Sequence, residues 1–232
     1  MAAIEGSYAH FDVVAYEDSS TRTPMRTLIV SYGFTEFRTE ESRLVQIDRF
    51  CHADQFINQE SVEVVFSDEA TRAIEPRVQE VELSFNDGLW HLYRPASPTL
   101  LGIAGDPSLP LSMDPGDPNL TDPDGDGRPG VTVNLRIDES IDGEIYITRR
   151  EIYHDYLVLQ PDGALFGHVV DESEQFVIDA SHRILRRPSN QVQLADPGMN
   201  PILLTPIDES VSSCDELMAR AAELFPEPPS FR

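Results

Sequence analysis

Alternation of apolar and polar residues with period two runs through the first hundred positions, and it limits the fold more than any other feature of the chain. Successive side chains of a strand point to opposite faces, so this pattern specifies half-buried antiparallel strands. Phe11 and Val13 share a face in SYAHFDVVAY, and Leu28, Val30, Tyr32 and Phe34 share one in RTLIVSYGFTEF. Val45, Ile47 and Cys51 follow in RLVQIDRFC, then Val62, Val64 and Phe66 in SVEVVF. Val81, Leu83 and Phe85 alternate with Glu80, Glu82 and Ser84, and Asn-Asp-Gly at 86–88 turns the chain into LWHLYR, a hairpin signal. Between these blocks, SDEATRAI predicts a short helix capped by Ser67.

From Pro95 to Gly130 the periodicity stops, and eight of the 18 prolines fall in this stretch. Strands resume beyond it in VTVNLRI, GEIYITRR, EIYHDYLVLQ, ALFGHVVD and EQFVIDAS. About five strands on each side are too few for two separate barrels, so 95–130 is read as an excursion within one β domain spanning 1–232. Near the end, Ser213 and Glu216 form a capping box, and Leu217, Ala221, Leu224 and Phe225 recur at helical spacing before Pro226, which predicts a helix over 213–225. The expected fold is all-β: a single antiparallel, lipocalin-like barrel of about ten strands with that C-terminal helix, since closure removes exposed sheet edges. A two-sheet sandwich is the alternative.

Charge narrows the partners. With 17 basic and 41 acidic residues the net charge is −24, and no lysine occurs. Nucleic acid is disfavoured, because phosphate binding needs a basic surface. The composition fits a salt-tolerant or exported protein. Cys51 and Cys214 are the two cysteines; paired, they would stabilise the fold by about 4 to 5 kcal/mol in the chain-entropy model and would require an oxidising compartment. No apolar run is long enough for a transmembrane helix. The start MAAIEGSYAH lacks the basic and apolar regions of a signal peptide. The expected location is extracellular, periplasmic or attached to an outer membrane, with the leader absent from this chain and a lipid anchor on the natural precursor.

One local motif points to an ion. In TDPDGDGRPG, Asp122, Asp124 and Asp126 occupy the first, third and fifth positions of a loop, Gly127 permits a tight turn, and Arg128 offers its carbonyl. Calcium requires six to eight oxygens, and alternating aspartates converge several carboxylates on one point. The segment resembles the loops of EF-hand and dockerin proteins, but Val133 stands at the twelfth position where they carry glutamate. It also resembles FG-GAP and thrombospondin type 3 loops, but Gly130 stands at the ninth position where they carry aspartate. A structural calcium site is therefore expected, completed by Asp114, Asp117, Asp138, Asp142 or water. More broadly, this loop followed by GEIYITRRE and GHVVDESEQFVIDAS, after the cysteine-ended strand RLVQIDRFC, looks like uncharacterised secreted proteins and lipoproteins of myxobacteria and their relatives. That resemblance implies export and a β-fold, and no activity.

Motifs for nucleophilic, zinc or nucleotide chemistry are missing from the sequence. Of the scattered histidines, His10, His91 and His168 fall within strands. In YITRREIYHDY, residues of one parity place Tyr153 and Asp155 together, so His91, Tyr153, Asp155 and His168 are the candidate pocket residues. Arg183, Arg186 and Arg187 in HRILRRPSN are read as neutralising nearby carboxylates. Two functions follow. The first is a non-enzymatic exported barrel that binds a small or lipid-like ligand, or a surface protein partner, with calcium stiffening the excursion. The alternative is a barrel enzyme in which His91, His154 or His168 works with a carboxylate as an acid-base pair.

Overall fold

The computed structural model describes residues 4–20, 24–59, 62–66, 68–72, 74–137, 141–188 and 190–231. Its first alternating segments become the long antiparallel strands β1 (Gly6–Asp18), β2 (Met25–Glu40) and β3 (Arg43–Ile57). After β4 (Val62–Phe66) and the short helix α1 (Asp68–Arg72) come β5 (Arg77–Glu80), β6 (Glu82–Asn86), β7 (Leu89–Arg94) and β8 (Thr99–Leu101). The expected cap of α1, Ser67, lies outside the described residues. Beyond the excursion follow β9 (Val131–Ile137), β10 (Ile141–Glu151), β11 (Tyr153–Leu159), β12 (Leu165–Asp171), β13 (Glu174–Ala180), β14 (Gln191–Gln193) and β15 (Pro201–Pro206).

Ten strands make one sheet in the order β5-β3-β2-β1-β15-β12-β11-β7-β6, with β14 beside β1. Its two outermost strands, β5 and β6, are separated by Val81 alone, and the Val81 N–H bonds the Leu44 carbonyl. They are thus two halves of one bent strand, one half pairing β3 and the other β7, and the sheet is a nearly closed antiparallel barrel. A second sheet, β13-β10-β9-β4 with β8 on β10, is continuous with the first. Only Ile152 separates β10 from β11, so one long bent hairpin serves both sheets.

The interior has two storeys. At one end Tyr8, Phe37, Leu44, Leu92, Leu157, Leu165 and Leu204 pack as an apolar core, each such side chain contributing about 1.5–3 kcal/mol on burial. At the other end the second sheet presents Val64, Val131, Val133, Ile147 and Val177. Between the two lies a polar layer.

The apolar stripe of β1 to β3 faces outward rather than into the barrel. Phe11, Val13, Ala15, Leu28, Val30 and Tyr32 are covered there by Met218, Phe225 and Phe231 from the end of the chain. The capping box forms, Ser213 Oγ accepting from the Glu216 N–H and Glu216 accepting from the Ser213 N–H at 3.0 Å. The single helix expected over 213–225 is instead two short ones, α2 (Cys214–Ala219) and α3 (Ala221–Leu224), broken at Arg220. The break lets Phe225 fold onto Phe11 and Tyr32, with ring centroids 5.8 and 5.4 Å away. In the pairing of β2 with β3, Tyr32 opposes His52 and Gly33 opposes Phe50, so Cys51 is the extra residue of a bulge. Cys51 packs outward with Phe34 and Leu217 and is disulfide-bonded to Cys214, which ties the covering segment to the barrel.

The excursion is folded against the second sheet. Thr121 N–H bonds the Gly102 carbonyl, Gly130 N–H bonds the Thr121 carbonyl, and Arg150 donates to the Pro107 carbonyl at 2.7 Å. Gly102 and Gly130 take φ of +74° and +90° and press on the Ile147 carbonyl, where a Cβ would lie 2.7 and 2.6 Å from that oxygen. No side chain fits at either position.

Candidate functional site

The polar layer arises from a repeated step. On five strands, the residue two positions from an apolar core residue is polar and shares its inward face: His10 after Tyr8, Thr35 before Phe37, Gln46 after Leu44, Arg94 after Leu92, and Asp155 before Leu157. Above this layer, under the second sheet, is a cavity of ≈ 130 Å³. Val131 and Ile147 roof it, Val14, Ile29 and Val169 form apolar walls, and His10, Asp12, Arg77, Arg149, Glu151 and Asp155 line its charged side.

Both ring nitrogens of His10 are engaged. Thr35 donates its hydroxyl proton to Asp48 at 2.7 Å, so it accepts from His10 Nδ1 at 2.8 Å. The other ring nitrogen, Nε2, meets Asp12 at 2.8 Å. Burial alone would lower the His10 pKa, but the hydrogen bond to the Asp12 carboxylate and the charges of Asp12, Asp48 and Asp155 raise it above the ordinary value. Arg94, 1% exposed, bridges two carboxylates from its Nε, Asp48 at 3.4 Å and Asp155 at 3.6 Å. Asp48 also takes two bonds from Gln46 Nε2, whereas neither oxygen of Asp155 has a hydrogen-bond partner. Burial pushes the Asp155 carboxyl up to about 6, against the pull of Arg94.

The opposite wall is a chain of ion pairs. Arg77 donates to Glu151 and to the Tyr153 hydroxyl, with its guanidinium between the rings of Phe50 and Tyr153, 5.3 and 4.8 Å from their centroids. Burial and then Arg94 bring the Arg77 pKa down to about 10. Arg149 reaches Glu151 at 3.3 Å, the Tyr16 hydroxyl at 3.0 Å and Asp171 at 3.3 Å, and Tyr16 donates to Asp171. Burial, followed by Asp171 and Asp12, pushes Glu151 up to about 8.

Of the expected pocket residues, Tyr153 and Asp155 line the cavity together with Arg149 and Glu151 of the same parity. His91 and His168 do not: they flank the inward-facing Leu92 and Val169, so the alternation of the strand turns them to the outer surface. There His168 stacks on Tyr156, with centroids 5.1 Å apart. His154 faces out as well, accepting or donating at 2.9 Å with the Tyr93 hydroxyl. Sequence reasoning missed Asp12, Asp48, Arg77, Arg94 and Asp171. The signal that marks three of them is the polar residue beside a core residue on its own strand face, in Leu44-x-Gln46-x-Asp48, Leu92-x-Arg94 and Val169-x-Asp171. Arg186 lies 3.7 Å from Asp179 on the surface.

The aspartate loop stands apart, at the end of the excursion. Ligand oxygens of Asp122, Asp124 and Asp126 lie within 4.8 Å of one another. Most of these oxygens already serve the loop. Asp122 accepts from the Asp126 and Gly127 N–H groups at 3.2 and 2.9 Å, and Asp126 accepts from the Arg128 N–H at 2.7 Å and the Thr132 hydroxyl at 2.5 Å. Asp124 accepts from the Thr132 N–H at 2.8 Å, and its second oxygen is buried with no partner, which fits a cation at the centre of the three. The Gly127 N–H leads the causes that lower Asp122, while burial leads those that raise Asp124, with Asp122 and Asp126 adding to it. The side chain of Arg128 lies over the Tyr146 ring at 5.5 Å.

The Cys51–Cys214 disulfide points to a non-reducing environment. Among the described residues no helix is long and apolar enough to cross a membrane. Compared with models of known families, with curated proteins and with solved structures, the chain matches none.

Proposed function

We propose that this chain is an exported, non-enzymatic barrel that holds a small molecule in the cavity beneath its second sheet. The observation that carries this reading is a cavity with a charged side and an apolar roof, lined by the Asp155 carboxylate, which accepts no hydrogen bond. A fully buried polar group without a partner costs about 1–3 kcal/mol, and a ligand donor would offset that cost. The volume favours a small ligand over a lipid-like one. It lies beside the roughly 150 Å³ cavity that admits benzene and below the roughly 300–1,000 Å³ of drug-sized pockets.

A second cleft, of ≈ 550 Å³, runs between β5 and the excursion and shares Ile74, Arg77, Leu101 and Glu151 with the cavity. Access from this side runs past the Arg77–Glu151 pair. Binding is favoured over catalysis because both nitrogens of His10 are engaged by Thr35 and Asp12, leaving no lone pair for a general base. In this reading the disulfide serves an extracellular or periplasmic protein, and calcium at Asp122, Asp124 and Asp126 stiffens the excursion that borders the cleft.

The test is a nuclear magnetic resonance titration with small probe molecules of benzene size. Saturable shifts at Ala53, Val131 and Ile147 are expected, and they should vanish in Ala53→Leu, which fills the cavity. Shifts confined to surface residues would overturn the reading.

A further inference from the structure

Counted by formal charge, the groups lining the cavity have an excess of carboxylates over cations. Among the groups that line it, Asp12, Glu151, Asp155 and Asp171 stand against His10, Arg77 and Arg149, which leaves one carboxylate uncompensated when all are ionised. Behind the lining, Arg94 and Asp48 cancel. Position identifies which carboxylate is short of partners. Asp12 is bonded by His10 and Ser31, Asp171 by Tyr16, Arg149 and Ser173, and Glu151 by Arg77 and Arg149. Asp155, 1% exposed, accepts nothing, and shares its nearest cation with Asp48. A buried charge in this position calls for a proton or a counter-charge.

Resting on the small-molecule reading above, we infer that the ligand is a small organic monocation: a primary ammonium or amidinium on an apolar body of about six to eight heavy atoms, a size set by comparison with the benzene-binding cavity. Its N–H groups bond the Asp155 carboxylate, a charge-assisted pair, and its body packs against Val131, Ile147 and Ile29 under the second sheet. An inorganic cation fits poorly, because a hard ion wants six or more oxygens and the other carboxylates here are engaged. An anion fits poorly as well. Among the buried donors of the described lining, the one without a partner is Arg77 Nε, on a guanidinium already lying over two rings, and an anionic ligand would add to the formal excess of carboxylates.

The test is calorimetric titration at pH 7 with three probes of similar size, cyclohexylamine, cyclohexanol and cyclohexanecarboxylate, on the wild-type chain, Asp155→Asn and Ala53→Leu. Asp155 has no hydrogen bond to lose, so the asparagine variant should fold, and a thermal melt verifies that it does. Cyclohexylamine should bind at least about tenfold more tightly than either other probe, as one charge-assisted bond provides. In Asp155→Asn that preference should disappear while cyclohexanol binds as before, and in Ala53→Leu every probe should weaken. If the alcohol or the carboxylate binds as tightly as the amine, or the preference survives in Asp155→Asn, the monocation assignment falls and the cavity reading stands. If no probe binds, or Ala53→Leu leaves binding unchanged, both fall together.

Discussion

Two groups of carboxylates in this molecule solve the problem of charge in opposite ways. Asp122, Asp124 and Asp126 lie within five residues on an accessible loop, and backbone N–H groups of the loop and of Thr132 just beyond it bond four of their six oxygens. Asp12, Asp48, Glu151, Asp155 and Asp171 come from five different strands and meet inside the barrel, where arginine side chains and His10 must supply the balance. A local cluster draws its hydrogen bonds from neighbours in the chain because the chain turns around it, and here one oxygen of Asp124 is left over. A non-local one depends on partners that arrive from elsewhere, and one member, Asp155, is left short.

The sharpest way to break this contrast is to remove an interior partner. Arg94→Met strands Asp48 and Asp155 without their shared cation, and breaking a buried pair in this way costs about 3–5 kcal/mol. Urea unfolding at pH 7 should show that loss, and it should shrink in acid as the carboxylates protonate. A loss under about 1 kcal/mol would mean that the interior charges do not depend on Arg94.

The second test uses pH. Asp155 is raised to about 6 and Glu151 to about 8, and His10 is raised as well. Groups raised in the folded state contribute stability that is full below their unfolded pKa and lost as pH rises through the folded value. Stability should therefore fall between about pH 4 and pH 8. Asp155→Asn should match the wild type below about pH 4 and exceed it by about 1–3 kcal/mol above pH 6. Parallel pH profiles for the two chains would contradict the shift. In the aspartate loop Asp122 is lowered and Asp124 raised, so their contributions to the slope have opposite signs.

Calcium probes the other cluster. With a dissociation constant in the weak extracellular range, about 10 mM calcium should stabilise the fold by about 1.5–2.5 kcal/mol over chelator. A melting midpoint that ignores calcium would remove the ion from the loop. The smallest effect is expected from Asp122→Asn without calcium, since the loop is accessible and an asparagine oxygen can still accept from one of the two N–H groups. The same variant should abolish any calcium response, so its two melts separate ion binding from loop geometry.

Legibility in the sequence follows the same division between local and non-local. The Asn86-Asp87-Gly88 turn adopts φ of +52° at Asp87 and +82° at Gly88, as a two-residue hairpin requires. The Ser213–Glu216 box and the aspartate loop also form from neighbours in the chain. The excursion over 95–130 was visible as a loss of period, and Tyr153 and Asp155 as residues of one parity. His91 and His168 were misplaced because a strand residue's parity is readable while the direction of its face is not.

By itself, the sequence determined most of the strands, the Asn86–Gly88 turn and the Ser213–Glu216 cap, because each depends on residues within a few positions of one another, whereas β8, β14, β15 and the break at Arg220 are seen only in the structure. Only the tertiary structure decided which face of β1 to β3 is the interior. Alternation says that two faces differ, and the usual inference is that the apolar one turns inward. Here the disulfide-tethered terminal segment covers the apolar face from outside, so the face carrying His10, Asp12, Thr35 and Asp48 closes around the cavity. The physical reason is that burial is a property of what packs against a surface, and for both faces of these strands that partner comes from far along the chain.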